Sequence, residues 1–182
     1  MNVKRLSVMF GMAMILAAIA SAQSATYITL CQAGRIQNVG VQTCAEEDGA
    51  GVLANADIVV NGNTWEMSAH AEGTESLASN SYSQASVTAP GKYHLKVPVP
   101  VPGTGQGAFS GILNRTQPPW TCNQVKDLTP ICSGPGVPPG ASFIDVVINV
   151  AAGEELIVMP EAYGGGPYGQ SFRSTAILTQ IK

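Results

Sequence analysis

Charge is scarce in this sequence. Only 12% of its 182 residues are Asp, Glu, Lys or Arg, and only two are histidine, His70 and His94. Nine basic residues against twelve acidic ones give a formal net charge of −3. Phosphate binding needs a basic stripe, so nucleic acid is not an expected partner. Cys-x-x-Cys pairs are missing, and both histidines lie far from the cysteines, which argues against a zinc centre. The phosphate-loop pattern is missing too. Gly91-Lys92 lacks the glycine five positions earlier and the Ser or Thr that should follow. The stretch from Gly164 to Gly169 does not join a strand to a helix with dinucleotide spacing. No metal or cofactor is therefore expected.

Nucleophile and acid–base motifs are also wanting. In "GAFSG" (Gly107 to Gly111) the serine is fourth, out of register with Gly-x-Ser-x-Gly. Glu154-Glu155 and Glu46-Glu47-Asp48 are adjacent in sequence, but neighbours on a strand point to opposite faces, so adjacency makes no catalytic pair. The Glu46-Glu47-Asp48-Gly49 run reads as an acidic turn rather than a calcium loop. A secreted hydrolase ranks behind non-enzymatic readings, because no convergent set of titratable groups is visible.

Long apolar runs are confined to the start. Lys4 and Arg5 precede "LSVMFGMAMILAAIA" (Leu6 to Ala20), and Ala20-Ser21-Ala22 offers small residues at a cleavage site. Basic, apolar and small, in that order, is a secretory leader. The run is shorter than the ~20 residues of a membrane-spanning helix. The expected organisation is a leader over 1–22 and one domain over 23–182, with no span once the leader is removed. Lys4 and Arg5 leave with the leader and no acid does, which takes the formal charge from −3 to −5. The destination is secreted, either extracellular or periplasmic and cell-surface.

What the chain does contain is cysteine in an even number, glycine, proline and alternation. Cys31, Cys44, Cys122 and Cys132 all lie in the exported part. In an oxidising compartment four cysteines read as two disulfides. Of three possible pairings, the local ones, Cys31–Cys44 and Cys122–Cys132, are favoured because each closes a short, turn-prone loop.

Hydrophobicity alternates with period two. In "NTWEMSAHA" Trp65, Met67, Ala69 and Ala71 share one face. In "GKYHLKVPV" Tyr93, Leu95 and Val97 do the same, with both histidines on the polar faces. These are half-buried antiparallel strands. "TYITLC", part of "RIQNVGVQTC", "ADIVVNG", "FIDVVINVAA", "EELIVMPEA" and "FRSTAILTQI" extend the set. A long alternation of small residues runs through "LASNSYSQASVTA". Turn pairs such as Asn61-Gly62, Pro90-Gly91 and Ala152-Gly153 punctuate the runs. About nine short strands so spaced predict an all-β antiparallel sandwich of jelly-roll type. The prolines of "VPVPVPGTG" remove ladder donors, so that stretch belongs at an edge or in an extended connection. Residues 114–142 read as one long irregular loop, pinned by Cys122–Cys132 over one end of the sandwich. Asn114-Arg115-Thr116 matches a glycosylation acceptor.

Aromatic residues in glycine- and proline-rich stretches are the remaining handle. Tyr163 and Tyr168 flank Gly164-Gly165-Gly166, and Trp120 follows two prolines. Exposed rings stack on sugar faces or anchor protein partners. The glycines read first as a mobile turn and second as a sugar-contacting loop, since ordering them costs entropy.

Two stretches, "TWEMSAHAEGTESLASNSYSQASVTAPGKYHLKVPVPVPGTGQGAFSGIL" and "FIDVVINVAAGEELIVMPEAYGGGPYGQSFRSTAILTQIK", resemble the extracellular domains of bacterial PEP-CTERM proteins, which are sorted by exosortase. Phe172, Thr175, Ala176 and Leu178 fit that family's final strand. The family's Pro-Glu-Pro motif, transmembrane helix and basic tail do not follow Lys182. The resemblance implies an exported bacterial β-sandwich free of the envelope, associated with matrix polysaccharide. The leading expectation is thus a non-enzymatic structural or matrix-associated protein, with extracellular polysaccharide or surface proteins as partners. The alternative is a carbohydrate-binding module using Tyr163 and Tyr168, with Trp120 helping.

Overall fold

A computed structural model of the chain describes residues 25–48, 51–99, 105–114, 118–125, 128–166 and 169–181. The leader over 1–22, Tyr168 and most of "VPVPVPGTG" lie outside the described residues. Thirteen strands are described: β1 (Ala25–Ala33), β2 (Ile36–Gly40), β3 (Thr43–Asp48), β4 (Val52–Asn61), β5 (Thr64–Glu72), β6 (Ser79–Val87), β7 (Gly91–Val97), β8 (Gln106–Leu113), β9 (Trp120–Val125), β10 (Ile131–Ser133), β11 (Ile144–Val150), β12 (Leu156–Gly164) and β13 (Ser171–Ile181). They form two antiparallel sheets. One has seven strands in the order β10-β9-β8-β12-β6-β1-β2, and the other has six in the order β11-β7-β13-β5-β4-β3. The chain crosses between sheets from β2 to β3, at each step from β5 to β8, and at each step from β10 to β13. The expected sandwich is present, with thirteen strands rather than about nine.

Its interior has two unlike halves. One is filled by large side chains: Trp65, Met67, Tyr93 and Leu95 from the six-stranded sheet meet Phe109, Trp120, Leu156 and Val158 from the seven-stranded one. The Trp65 indole donates across the sandwich to the Tyr27 hydroxyl at 2.8 Å. The other half is built from small residues. Ala69 and Ala71 pack on Ala162 and Phe172, and Ala54 and Ala56 pack on Cys31 and Cys44. Here the serines of β6 bridge the sheets. Ser79 donates to the Glu72 carbonyl at 2.6 Å and Ser81 to the His70 carbonyl at 2.9 Å, both on the facing sheet. The backbones come so close that a Cβ at Gly164 would lie 2.8 Å from the Ala71 carbonyl oxygen.

Thr29 and Ser83, directly opposed on β1 and β6, are fully buried, and their hydroxyls find no partner in the protein. A buried unpaired hydroxyl costs about 1–3 kcal/mol. Thr29→Val combined with Ser83→Ala is therefore expected to raise the denaturant midpoint, by the equivalent of about 1 kcal/mol. A fall of that size would mean that both hydroxyls are satisfied, for example by an internal water.

Both local disulfides are formed. Cys31–Cys44 joins β1 to β3 and so ties one sheet to the other, whereas Cys122–Cys132 bridges two directly opposed residues of β9 and β10. The second bridge corrects the expectation for residues 114–142. They are not one irregular flap, because β9 and β10 form a hairpin that extends the seven-stranded sheet. The flanking prolines hide it in the sequence, since they lie outside the paired residues. In "VPVPVPGTG" the ladder stops at Val97 and the one described proline, Pro98, lies beyond it. β7 itself lies between β11 and β13, where proline would have removed a needed donor.

Candidate functional site

Among the described residues, the strands of the seven-stranded sheet turn few charged side chains outward, Glu161 of β12 being one. Along β6, "SNSYSQASV" turns Ser79, Ser81 and Ser83 inward and leaves Asn80, Tyr82 and Gln84 half-exposed on the outside. Along β12, Ala162 and Gly164 turn inward while Glu161 and Tyr163 face out. Register then assembles side chains that are distant in sequence. One cross-strand row reads Gln37, Gln32, Asn80, Tyr163, Gln106. The next reads Leu30, Tyr82, Glu161, Ala108, Asn123. The Tyr163 hydroxyl donates to the Glu161 carboxylate.

At one end of this face lies an open depression of about 260 Å³, lined by Gln32, Arg35, Ser76, Asn80 and Tyr163 among others. Asn80 Oδ1 is buried there without a hydrogen-bond partner in the protein. A second depression, of about 240 Å³, lies at the other end, lined by Ile112, Asn114, Gly153, Glu155 and Ile157. Asn114 holds its rim together. It has a left-handed φ of 52°, donates from Nδ2 to Glu154 at 3.0 Å and accepts at Oδ1 from the Glu155 amide at 3.2 Å. The Ser86 hydroxyl donates to the Glu155 carboxylate. Amides, hydroxyls and tyrosine rings in this arrangement can exchange hydrogen bonds with hydroxyl groups and offer flat apolar contact.

The opposite outer face, on the six-stranded sheet, carries the ions. His94 Nε2 and Lys96 Nζ lie 2.5 and 3.8 Å from Asp145. The hydrogen bond with His94 holds the Asp145 carboxyl below its ordinary value. His70 sits 3.1 Å from Glu72. Burial, reinforced by Arg173, pushes its imidazole below its usual value. Ser171 Oγ approaches the same Nε2 of His70 at 3.5 Å. A relay needs serine and carboxylate on opposite ring nitrogens, and here both meet one. Among the described residues no group of three His, Cys, Asp or Glu is placed to hold a metal.

The residues singled out in the sequence divide. Tyr163 lines the first depression. Trp120 does not join it. Its ring is 4% exposed, lies in the core and donates to the Pro135 carbonyl at 2.8 Å, so it presents no face to a ligand. Two of the three glycines after Tyr163 serve close packing: Gly164 ends β12 against Ala71, and Gly165, at φ 83°, abuts Gly73 and Ala78, while a Cβ at Gly166 would meet nothing. Tyr82, Asn80 and Gln32 do not stand out in the sequence. For Tyr82 and Asn80 the signal is the alternation in "SNSYSQ", where serine and asparagine differ too little in hydrophobicity to show which set faces in.

No family model matches the chain, and no curated protein does. Among solved structures it is similar to TmCBM61 in complex with beta-1,4-galactotriose, at 12% identity and a TM-score of 0.35, over 76% of this chain and 88% of that one. A likeness that weak leaves any ligand to be argued from the face itself.

Proposed function

We propose that the protein is a secreted, non-enzymatic, matrix-associated β-sandwich that holds polysaccharide on the outer face of its seven-stranded sheet. The observation that carries this reading is the division of the two outer faces. Tyrosines and amides collect on one, while the ion pairs of His94, Lys96, Asp145, His70 and Glu72 collect on the other. Neutral sugars present apolar ring faces and many hydroxyls but no fixed charge. An amide-and-tyrosine surface complements them and a field of ion pairs does not. Two disulfides fit an oxidising, non-cytoplasmic compartment. The resemblance of residues 64–113 and 143–182 to PEP-CTERM extracellular domains supports the matrix association. The contacting set differs from the loop that sequence alone suggests: Tyr82, Asn80 and Gln32 join Tyr163, and Trp120 is withdrawn.

The test is binding of the purified, oxidised protein to a panel of neutral polysaccharides, by calorimetry or by retardation in polysaccharide-containing gels. Tyr82→Ala is expected to weaken binding about tenfold, or ~1.4 kcal/mol, without a matching fall in thermal midpoint. His94→Ala, on the charged face, should leave binding unchanged. Equal affinity in wild type and Tyr82→Ala would move the contact off this face. No retention of folded protein by any polysaccharide would sink the reading and leave surface proteins as the partners to test.

A further inference from the structure

We infer that the ligand is a linear, uncharged polysaccharide chain lying along β12, from the Asn80–Tyr163 depression to the Ile112–Ile157 depression. This rests on the proposed polysaccharide-binding face and goes beyond it in stating the ligand's shape, charge and direction. Three observations support it.

The first is that one strand connects the two depressions. Ile157, Met159, Glu161 and Tyr163 alternate outward along β12. Tyr163 lines one depression and Ile157 the other. Six residues of strand separate them, which at ~3.4 Å per residue is about 20 Å. That span exceeds a single sugar ring and suits several in a row.

The second is the profile between the ends. On the β8 side, Met159 faces Ser110 and Glu161 faces Ala108. These side chains are short and keep the face low beside β12. On the β6 side, Glu161 faces Tyr82, whose half-exposed side chain borders the track. A low strip flanked by an aromatic ring accommodates an extended chain better than a compact ligand.

The third is charge. Among the described residues, the charged groups along this track are the carboxylates of Glu155 and Glu161, with Glu154 beside Asn114 at one end and Arg35 at the rim of the first depression. A polyuronate laid on β12 would place its carboxylates beside those of the protein, where like charges repel. Uncharged hydroxyls can instead donate to Glu161 and exchange hydrogen bonds with the half-exposed amides of Gln32 and Gln106 in the neighbouring row.

The experiment is a size ladder of linear neutral oligosaccharides, from disaccharide upward, prepared from a β-glucan, a mannan and a galactan. Affinity should climb with length and level off once the chain spans the track. Ile157→Ala and Ile112→Ala, at the far depression, should each weaken the longest fragments roughly fivefold to tenfold, as expected when a large apolar side chain is removed from a binding surface, and leave the disaccharide unaffected. Asn80→Ala should weaken every length. Thermal melts confirm that each variant is folded, and the two far-end variants guard against failure of either. Affinity independent of length, or far-end variants indistinguishable from wild type on long fragments while Asn80→Ala still weakens binding, overturns the track and leaves the binding face standing. Polygalacturonate bound as tightly as the best neutral chain overturns the assignment of charge. Loss of all binding, parent polysaccharides included, overturns the face together with the track.

Discussion

Reducing both disulfides is expected to shift the unfolding midpoint further than any single side-chain change discussed above. The bridges close loops of 13 and 10 residues' separation. In the chain-entropy account each contributes about 3 kcal/mol, by restricting the unfolded chain. Together they approach the whole net stability of a typical domain, about 5–15 kcal/mol. The two are not equivalent in the folded state. Cys31–Cys44 ties the seven-stranded sheet to the six-stranded one, beside the small-residue half of the core. Cys122–Cys132 only fastens the β9–β10 hairpin at a sheet edge. Replacing Cys31 and Cys44 by alanine should therefore loosen the whole sandwich, whereas replacing Cys122 and Cys132 should first free the hairpin. Guanidinium titrations of oxidised and reduced protein, followed by fluorescence of the buried Trp65 and Trp120, read both effects. A reduced protein unfolding within about 1 kcal/mol of the oxidised one would show that packing, not the staples, holds the sheets together.

Gly107→Ala should be a strongly damaging conservative substitution. Gly107 faces inward on β8, opposite Ala162, and a Cβ there would fall inside the Phe172 ring. That ring is 2% exposed and packed on Ala69, Ala71 and Ala162, so it has nowhere to turn. Overpacking of this kind costs about 1–3 kcal/mol and occasionally more, and the upper end applies where the obstructing atoms are a buried ring. The same mechanism predicts a rescue. Phe172→Ala alone leaves a cavity worth about 3–5 kcal/mol, but in the Gly107→Ala background part of that space is filled. The double variant should be more stable than the summed single effects by a coupling of about 1 kcal/mol or more. Additive losses would mean that the ring is not what excludes a side chain at Gly107.

Much of the scaffold is legible in the sequence. "NTWEMSAHA" and "GKYHLKVPV" alternate large apolar with polar residues, and both are strands with those apolar residues buried. The close spacing of the cysteines points to the pairs that form. The Pro-rich stretch around Trp120 misleads, because prolines beside a hairpin resemble prolines within a loop. Trp120 misleads with it. A tryptophan after Pro118-Pro119 looks exposed until β9 is seen to pair with β8 and turn its ring into the core.

The sequence by itself determined that this chain forms short antiparallel strands in a stapled sandwich. Alternation and cysteine spacing are local properties, set by the pleat and by the reach of a short loop. Only the tertiary structure decided which face of β6 looks outward and that Asn80 stands beside Tyr163, Tyr82 beside Glu161, and Gln32 beside Asn80. Those neighbours come from distant parts of the chain and are brought together by strand order and register. Register in turn follows from which small residues let the two sheets approach, as Ser79, Ser81 and Gly164 do. No stretch of the sequence shows that fit until the sheets face each other.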